Sequence, residues 1–344
     1  MTEVLHIAVS CNERYVPGAL EALAGVAVYA KEDTSLAFHV FTENVKPESV
    51  EFMRSTLKRL HANCEFCQHV CDEQLLAGLP YWAGSRMAAV RCHYATLLPD
   101  VDWCLYLDCD VLYLAAVEEH FSYRDPSVYA AVVLEEYKPT RVQECAWIME
   151  NCVSPPADAN GVTIDNYFNS GVVLFNLKKM REDGVPDKLV RFFKEHPDVP
   201  SPDQDALNAT FNGNVKLIPP KFDRLQIYLS DAKLEEHPVI HYVNGNPWLP
   251  KYGCVANGRF RLWHRFADKY IWRRKGESCR RLFTRKMLAI KYVCYWALKC
   301  PLGIGQAFAW LMWWMEFVIN ARIWRNCQVG SDCTWATASR ILDL

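Results

Sequence analysis

Two aspartates that directly follow an apolar run carry the clearest chemistry in this sequence. The run 103–107 is followed by Asp108, Cys109 and Asp110, so two carboxylates stand two residues apart at the end of a predicted strand. Carboxylates with this spacing suit one hard divalent cation, Mg²⁺ or Mn²⁺, when the second lies in a turn. Such a cation would bind the oxygens of a diphosphate through its open positions. Because a bare Asp-x-Asp is weakly specific, a solvated loop remains the alternative.

A histidine much later in the chain offers a third ligand. His241 follows the apolar residues 238–240 and precedes the segment 242–248, which ends in Pro247 and Trp248. A lone histidine at a strand end is more often structural than metal-bound. If His241 converges on the two aspartates, three side chains and two phosphate oxygens give a nearly octahedral set. The imidazole nitrogen would then shift the preference from Mg²⁺ towards Mn²⁺.

The elements that must position these side chains include seven predicted strands. Several of the runs are apolar on both faces, as expected for strands that helices cover on both sides. Their β-branched and aromatic residues favour extended structure over helix. The predicted strands are residues 4–9, 36–41, 64–70, 103–107, 128–134, 172–177 and 239–243.

Helical patterns stand between the predicted strands. This alternation predicts an α/β fold with a mostly parallel sheet and right-handed crossovers. Ligands of such sheets bind beyond the carboxyl ends of the strands, where the Asp108 pair would lie. The apolar helix faces are Val50, Met53, Leu57 and Leu60 behind Pro47, and Leu189, Phe192 and Phe193 behind Pro186.

Four segments, in order and with matching spacing, resemble the family 8 retaining glycosyltransferases. They are residues 105–112 (LYLDCDVL), 167–177 (YFNSGVVLFNL), 203–208 (DQDALN) and 241–248, which begins with His-Tyr and ends with Pro-Trp. The resemblance implies a GT-A fold, that is, a mostly parallel Rossmann-like sheet flanked by helices. It also implies a UDP-hexose donor, Mn²⁺ (or Mg²⁺) and transfer with retention at the anomeric carbon.

The resemblance assigns roles residue by residue. Asp108, Asp110 and His241 would be the metal ligands. Asp203 would hold sugar hydroxyls, and Gln204 would lie behind the anomeric carbon, so these two are the candidate catalytic residues. Further contacts to the UDP-sugar would come from Ser10, Asn12, Arg14, Tyr15 (stacked on uracil), Arg91, Cys109, Asn169, Ser170, Gly245 and Asn246.

The sequence departs from the family pattern at two positions. Asn12 stands where the family usually has an aspartate, and it can accept a hydrogen bond at only one oxygen. Asn246 stands where the family usually has a lysine that points at the diphosphate, and the segment is one residue shorter. Either Lys251 or Arg14 could replace that cation.

Other polar clusters have both a functional and a structural interpretation. Asp203 and Asp205 could cap the helix that follows them. Glu135 and Glu136 could face an acceptor or form a solvated pair. The cysteines 64, 67 and 71, with His61 and His69 nearby, could bind zinc, but a strand would point Cys64 and Cys67 to opposite faces.

Composition places the chain among globular proteins. It has 344 residues, of which 51% are hydrophobic and 23% charged, and this excludes a disordered, collagen-like or purely coiled-coil chain. The 15 cysteines are too few for a chain of this length to be a disulfide-stapled scaffold. The N-terminus lacks the features of a signal peptide. We therefore expect a cytoplasmic protein with mostly free thiols.

Charge is distributed unevenly. Residues 259–325 hold 15 Lys and Arg against 3 Asp and Glu, together with seven of the 12 Trp. We predict a catalytic domain over 1–257 and a basic, Trp-rich helical tail over 258–344. The tail could bind an anionic inner-leaflet membrane surface, cross the membrane at 302–319, or dock on the body. Nucleic acid is a poor fit, since no recognised binding module accompanies the charge.

These observations together predict a peripherally membrane-associated hexosyltransferase. It would transfer glucose or galactose from UDP-glucose or UDP-galactose to a glycan acceptor that is lipid-linked, such as lipopolysaccharide core. One alternative is a glycogenin-like enzyme that acts on protein or soluble glycan. Another is a protein that binds a sugar nucleotide without turning it over.

Overall fold

The structure is a computed structural model that describes residues 3–82, 85–152, 161–228, 236–243, 246–248 and 260–271. The chain divides into two compact units, Met1–Gly245 and Asn246–Leu344. Within the second unit, a short helix (Arg261–Phe266) continues into a π-helical turn (Ala267–Ile271). The predicted boundary at 257 and the membrane role of the tail stay predictions, since most of the tail lies outside the described residues.

A central sheet occupies the first unit, and every predicted strand is present. The strands are β1 (Val4–Asn12), β2 (Ser35–Glu43), β3 (Cys64–Val70), β4 (Trp103–Leu107), β5 (Val111–Tyr113), β6 (Ala130–Leu134), β7 (Phe168–Asn176), β8 (Val215–Leu217), β9 (Arg224–Leu225) and β10 (Val239–His241).

The order of strands in the central sheet is β3-β2-β1-β4-β7-β6-β8. Neighbours pair in parallel except at β7, which is antiparallel to both β4 and β6.

Helices flank the sheet, so the mostly parallel α/β architecture expected from the sequence is confirmed. The predicted apolar faces of α2 and α8 are buried, apart from Leu60, which is half-exposed at the end of α2. The helices are α1 (Val16–Tyr29), α2 (Pro47–Leu60), α3 (Glu73–Leu76), α4 (Tyr94–Leu97), α5 (Val117–Phe121), α6 (Lys138–Asn151), α7 (Leu177–Glu182), α8 (Val185–Glu195), α9 (Pro202–Phe211) and α10 (Arg261–Phe266), with 3₁₀ turns at Glu13–Tyr15, Met87–His93, Pro220–Phe222 and Gln226–Tyr228.

A second, three-stranded sheet with order β5-β10-β9 was not expected from the sequence. β10 pairs antiparallel with β5 and parallel with β9. These strands have two or three residues each, too short to show a period of two. The small sheet sets β10, which the sequence did predict, beside the turn that follows β4.

The reversed direction of β7 brings its beginning to the edge where β4 and β6 end. Leu107, the last residue of β4, pairs with Val172, and Leu134, the last residue of β6, pairs with Phe168. Asn169 and Ser170 therefore start their strand where the Asp108 turn begins. Opposite strand directions thus gather polar residues from distant parts of the sequence at one edge.

No helix within the described ranges is both long and apolar enough to cross a membrane. The possible span at 302–319 lies outside the described residues.

Close packing of α1 on β5 depends on one glycine. A Cβ at Gly25 would overlap the main-chain carbonyl of Tyr113. Alanine is favoured over glycine within a helix by about 1 kcal/mol, so propensity alone predicts that Gly25→Ala stabilises the protein. We expect the reverse, a free energy of unfolding lower by about 1–3 kcal/mol, because a backbone atom must move. Urea unfolding measures the sign, and a stabilised variant would contradict the packing.

Candidate functional site

Asp108, Asp110 and His241 meet at the edge of the central sheet. One ligand atom from each lies within 4.8 Å of the other two, and within the described residues this is the one such group of three. Nε2 of His241 is 3.2 Å from Oδ1 of Asp110 and 3.8 Å from Oδ2 of Asp108. The two aspartates are partly accessible, whereas His241 is buried. The convergence expected from the sequence is therefore present.

Main-chain hydrogen bonds fix the turn that carries the aspartates. The amide of Asp108 donates to the carbonyl of Gly171 in β7 (2.7 Å), and the amide of Val111 donates to the carbonyl of Asp108 (3.2 Å). The amide of Tyr242 donates to the carbonyl of Asp110 (2.9 Å). The turn is thus held from the central sheet on one side and from β10 on the other.

Gly171 leaves the space that the ring of His241 occupies. A Cβ added at this glycine would overlap Cε1 of the imidazole. The glycine within the Asn-Ser-Gly segment of β7 is therefore required by the close approach of a side chain from a different sheet.

A buried aspartate that sequence reasoning missed orients His241. Nδ1 of His241 lies 3.0 Å from Oδ1 of Asp223, which is buried just before β9. A carboxylate can only accept, so Nδ1 carries a proton, and Nε2, which faces Asp110, is the nitrogen that a metal ion would bind. An aspartate that fixes the tautomer in this way is typical of metal-bound histidines. No sequence pattern around Asp223 signals this role.

The electrostatics of this cluster suit a cation. Burial by itself lowers the pKa of His241, but Asp223 and Asp110 raise it well above its ordinary value. Burial also raises the pKa of Asp108, whereas the positive charge of Arg91 lowers it. The carboxylates of Asp108, Asp110 and Asp223 thus surround the imidazole of His241. Carboxylate oxygens with one imidazole form a donor set that fits Mn²⁺ or Mg²⁺.

Arg91 links the turn that carries Asp108 to the start of α9. Its guanidinium is buried and lies 2.7 Å from Oδ1 of Asp108 and 3.2 Å from Oδ2 of Asp203. Nη1 also donates to the carbonyl of Ser170 (2.5 Å), and the guanidinium stacks over the ring of Tyr106 at 4.1 Å. Because Oδ1 of Asp108 is taken by Arg91 and by the Tyr106 hydroxyl, Oδ2 is the oxygen that faces His241.

The candidate catalytic residues lie at the start of α9, next to β7. The amide of Ser170 donates to Oε1 of Gln204 (2.9 Å), and the Ser170 hydroxyl lies 3.4 Å from Asp203. The N-cap of α9 is Ser201. The alternative that Asp203 or Asp205 caps this helix is therefore wrong. Asp205 instead accepts a hydrogen bond from the main-chain amide of Ser201 (2.8 Å).

The turn after β1 holds the residues expected to contact a nucleotide. Asn12 begins this 3₁₀ turn, and its side-chain oxygen accepts from the amide of Arg14 (3.1 Å). Glu13 accepts from the amide of Lys46 (2.9 Å) and from Ser49 at the start of α2, which anchors the turn. Tyr15 is half-buried, and burial raises its pKa. The negative charges of Asp110 and Asp108 raise this pKa further. Tyr15 therefore lies near the acidic cluster.

Ser10 and Cys109 line the inner side of the same edge. The Ser10 hydroxyl is 2.6 Å from the hydroxyl of Tyr94, and the Cys109 thiol donates to the carbonyl of Ser10 (3.4 Å). Burial raises the pKa of the Cys109 thiol well above its usual range. Cys109 is thus a neutral packing residue here, whose main chain borders the site.

The two glutamates after β6 are not a solvated pair. Glu135 is 4% exposed and accepts from the side-chain amide of Asn169 (2.7 Å). Glu136 pairs with Arg224 and accepts from the amide of Leu225 (3.2 Å). Both carboxylates therefore brace the elements around the site.

The cysteine-rich segment forms strand β3, as its structural interpretation predicted. Among the described residues, its cysteines and neighbouring histidines do not form a group of three ligand atoms within 4.8 Å of one another. His69 instead lies 3.0 Å from His39 on the neighbouring strand.

Three candidate positions lie outside the described part of the first unit. Gly245 and Lys251 lie outside the described residues, and Asn246 belongs to the second compact unit. The remaining predicted site residues lie at or next to the sheet edge described above.

Comparisons with known proteins match this chain to glycosyltransferases. The sequence profile described as Glycosyl transferase family 8 matches residues 6–251. A lipopolysaccharide 1,2-glucosyltransferase from Escherichia coli is 24% identical over 277 residues, which cover 77% of this chain and 75% of that protein.

Solved structures share the fold. The galactosyltransferase LgtC, in complex with donor and acceptor sugar analogues, matches with a TM-score of 0.62 and 22% identity over 80% of this chain and 99% of its own. The bifunctional glycosyltransferase WbbM in its apo form matches with a TM-score of 0.54 and 16% identity over 77% of this chain. This chain spans about half of WbbM, 52% of its length.

The role of Asp223 is testable through metal affinity. Asp223→Asn keeps the shape of the side chain but removes the negative charge that holds Nδ1–H of His241. We expect the affinity for Mn²⁺ to fall about 10- to 100-fold. Isothermal titration of Mn²⁺ into the full chain measures the effect. Asp183→Asn, at an exposed carboxylate bound to Lys179, is the matched control. Equal affinities in the two variants would contradict the orienting role.

Proposed function

The chain belongs to glycosyltransferase family 8, and from this membership we propose that it is a retaining hexosyltransferase with a UDP-glucose or UDP-galactose donor and a glycan acceptor. The observation that carries the proposal is the convergence of Asp108, Asp110 and His241 beside Arg91 and the start of α9. A cation held by these three side chains would lie next to a carboxylate and an amide that could face a sugar.

The metal end of the site would hold the diphosphate of the donor. Asp108, Asp110 and His241 would hold the divalent cation, with Mn²⁺ favoured over Mg²⁺ by the imidazole nitrogen. When bound, the cation offsets the negative charge that develops on the departing UDP. Asp223 would hold the Nδ1 proton of His241 and so leave Nε2 as the nitrogen for the cation, and Arg91 would keep Asp108 in one orientation.

The sugar end of the site would hold the hexose. Asp203 would accept hydrogen bonds from sugar hydroxyls, while its pair with Arg91 fixes its direction. Gln204 would place an amide oxygen behind the anomeric carbon, which becomes positively charged as the glycosidic bond breaks. An amide dipole stabilises this charge without acting as a strong nucleophile. Asn169 and Ser170 would contact the hexose from the start of β7.

The nucleotide end would bind UDP through the turn after β1. Tyr15 would stack on uracil, and Asn12, Arg14, Ser10 and Cys109 would line the base and ribose. Because Oδ1 of Asn12 already accepts from the main chain, its side-chain NH₂ group is the part directed to a base carbonyl.

The acceptor would be lipid-linked, in keeping with the basic, Trp-rich segment 259–325. Lys and Arg of this segment would meet anionic headgroups, and its Trp side chains would lie at the interface. An enzyme held at the cytoplasmic surface of a membrane meets a lipid-anchored glycan more often than a freely diffusing one does. The relative from Escherichia coli, whose name specifies lipopolysaccharide glucosylation, is consistent with such an acceptor.

Donor turnover tests the proposed activity directly. The full chain with Mn²⁺ should release UDP from UDP-glucose or UDP-galactose, slowly without acceptor and faster with a lipid-linked glycan. Asp110→Ala should lower the rate by at least about 100-fold, because a metal ligand is lost. Asp100→Ala, on an exposed turn, should leave the rate unchanged. A chain that binds UDP-sugar tightly but never releases UDP would instead be a binding protein.

Vesicle sedimentation tests the membrane partner. The full chain should sediment with vesicles containing anionic phospholipid, and added salt should weaken this binding. Removing three charges with R273A/R274A/K275A should reduce the bound fraction, since each basic residue near the surface contributes about 1 kcal/mol. Equal binding to neutral and anionic vesicles would contradict an electrostatic anchor. Full transfer to a soluble glycan by the fragment 1–257 would favour the glycogenin-like alternative.

A further inference from the structure

The side chain of Gln204 is held at both ends of its amide. Oε1 accepts from the main-chain amide of Ser170 (2.9 Å), and Nε2 donates to the hydroxyl of Tyr167 (3.1 Å). A main-chain N–H can only donate, so the end that faces Ser170 must be the oxygen. The end that faces Tyr167 is determined separately, by the direction in which the phenol proton points.

The direction of the Tyr167 hydroxyl is set by a buried carboxylate. Tyr167 is fully buried, and its hydroxyl donates to Oδ1 of Asp205 (2.6 Å). A phenol has one proton, so a hydroxyl that donates to Asp205 can only accept from Gln204. The Asp205–Tyr167 bond therefore requires Nε2 of Gln204 at this end, in agreement with the requirement of Ser170.

A second carboxyl group lies behind Asp205. Glu144 on α6 is 6% exposed, and Ser201 joins it to Asp205: the Ser201 hydroxyl donates to Oε1 of Glu144 (3.4 Å), and the Ser201 amide donates to Oδ2 of Asp205 (2.8 Å). Asp205 is fully buried, and both of its oxygens already accept, from Tyr167 and from the amide of Ser201. Two such carboxyl groups can bond to each other only if they share one proton, because a carboxylate cannot donate. The raised pKa values of Glu144 and Asp205 agree with one proton held between them.

The surroundings favour retention of that proton. Burial raises the pKa of Glu144 and raises that of Asp205 to about 8. The other titratable groups that face Asp205 are Tyr167 and the thiols of Cys145 and Cys152, whose pKa values burial also raises. The positive charge of Arg141 on α6 lowers the pKa of Cys145, and its guanidinium donates to the carbonyl of Ile164.

We propose that Tyr167, Asp205 and Glu144 form a positioning relay that fixes which end of the Gln204 amide is the oxygen. The relay rests on the proposed function for its effect on turnover, since Gln204 is the group placed behind the anomeric carbon. Tyr167, Asp205 and Glu144 touch no substrate and act through Gln204. A single proton held by the two carboxyl groups keeps Asp205 an acceptor for Tyr167 and prevents two negative charges from meeting.

Kinetics of the full chain distinguish a relay from a general structural role. Y167F and D205N should each lower kcat for UDP release about 10- to 100-fold, because the amide oxygen is no longer held in one place. The KM for the donor should change less than about twofold, since the metal and nucleotide contacts remain. The double variant Y167F/D205N should be no slower than the slower single variant, because the residues act as one unit.

Tyr129→Phe is the matched control. Its hydroxyl donates to Oδ2 of Asp183 (2.9 Å), which is the same type of bond in a place remote from the candidate site. Its kcat and KM should equal those of the wild type. A rise in KM without a fall in kcat in Y167F, or additive losses in the double variant, would overturn the relay.

The shared proton gives a pH signature. The kcat of the wild type should fall above about pH 8, when the pair loses its proton. E144Q supplies a permanent donor to Asp205, so it should retain most of the activity at pH 7 and lack this alkaline fall. E144A supplies no donor and should resemble Y167F. An alkaline fall that persists unchanged in E144Q would overturn the assignment of the proton.

Stability measures the same proton without any turnover. Between the ordinary carboxyl pKa of about 4 and the raised value of about 8, the folded chain binds one more proton than the unfolded chain. The stability of the wild type therefore falls as pH rises through this window, whereas E144Q lacks that contribution. The Tm of E144Q relative to wild type should rise by about 3 °C or more between pH 5 and pH 8.5.

The two readouts separate failure of the relay from failure of the proposed function. A wild-type chain that releases no UDP from either donor refutes the proposed function, and the relay is then judged by the Tm difference alone. A Tm difference that does not change with pH overturns the relay, whatever the activity of the wild type.

Discussion

The buried guanidinium of Arg91 is the interaction on which the site depends. Asp108 and Asp203 come from segments 95 residues apart, and both lie against this one cation. Two carboxylates at the edge of an apolar sheet would repel each other and lose hydration, so a buried counter-charge is required. Burial by itself lowers the pKa of Arg91, but Asp108 and Asp203 raise it well above its ordinary value, which keeps it charged. The turn that carries Asp108 and the start of α9 therefore form one electrostatic unit.

Strand direction explains why so few elements suffice to build this unit. A wholly parallel sheet would place only strand ends, with the loops that follow them, at the site edge. The reversed β7 begins at that edge instead, so Asn169, Ser170 and Gly171 are held by strand hydrogen bonds from their first residues. The carbonyl of Gly171 accepts from Asp108, and the missing side chain of the same glycine admits His241. The rigid strand β7 thus fixes the positions of both Asp108 and His241.

The sequence predicted the parts of the fold that apolar runs determine, and missed the parts that single long-range contacts determine. All seven predicted strands are present, and the Asp108 pair and His241 were identified because strand ends are recognisable. Strands β5 and β9 are too short for any period. Asp223 was missed because its only signal is one bond to His241 across 18 residues. The N-cap interpretation of Asp205 misplaced the cap because Ser201 takes that position, and no local rule indicates a partner on α6.

The two ends of the site differ in charge: acidic groups collect around His241, whereas the side chain of Gln204 is neutral. This difference agrees with the ligand group proposed for each end. At Asp108, Asp110 and His241, acidic groups remain in excess, which suits a divalent cation and the diphosphate it carries. At Gln204 the group that would face the sugar in the proposed activity is neutral, and the carboxylate of Asp205 is separated from it by the Tyr167 hydroxyl. An ionised carboxylate in the place of Gln204 would compete for the positive anomeric carbon as a nucleophile. A dipole held by a proton-sharing pair would stabilise the same charge and leave the acceptor hydroxyl as the attacking group.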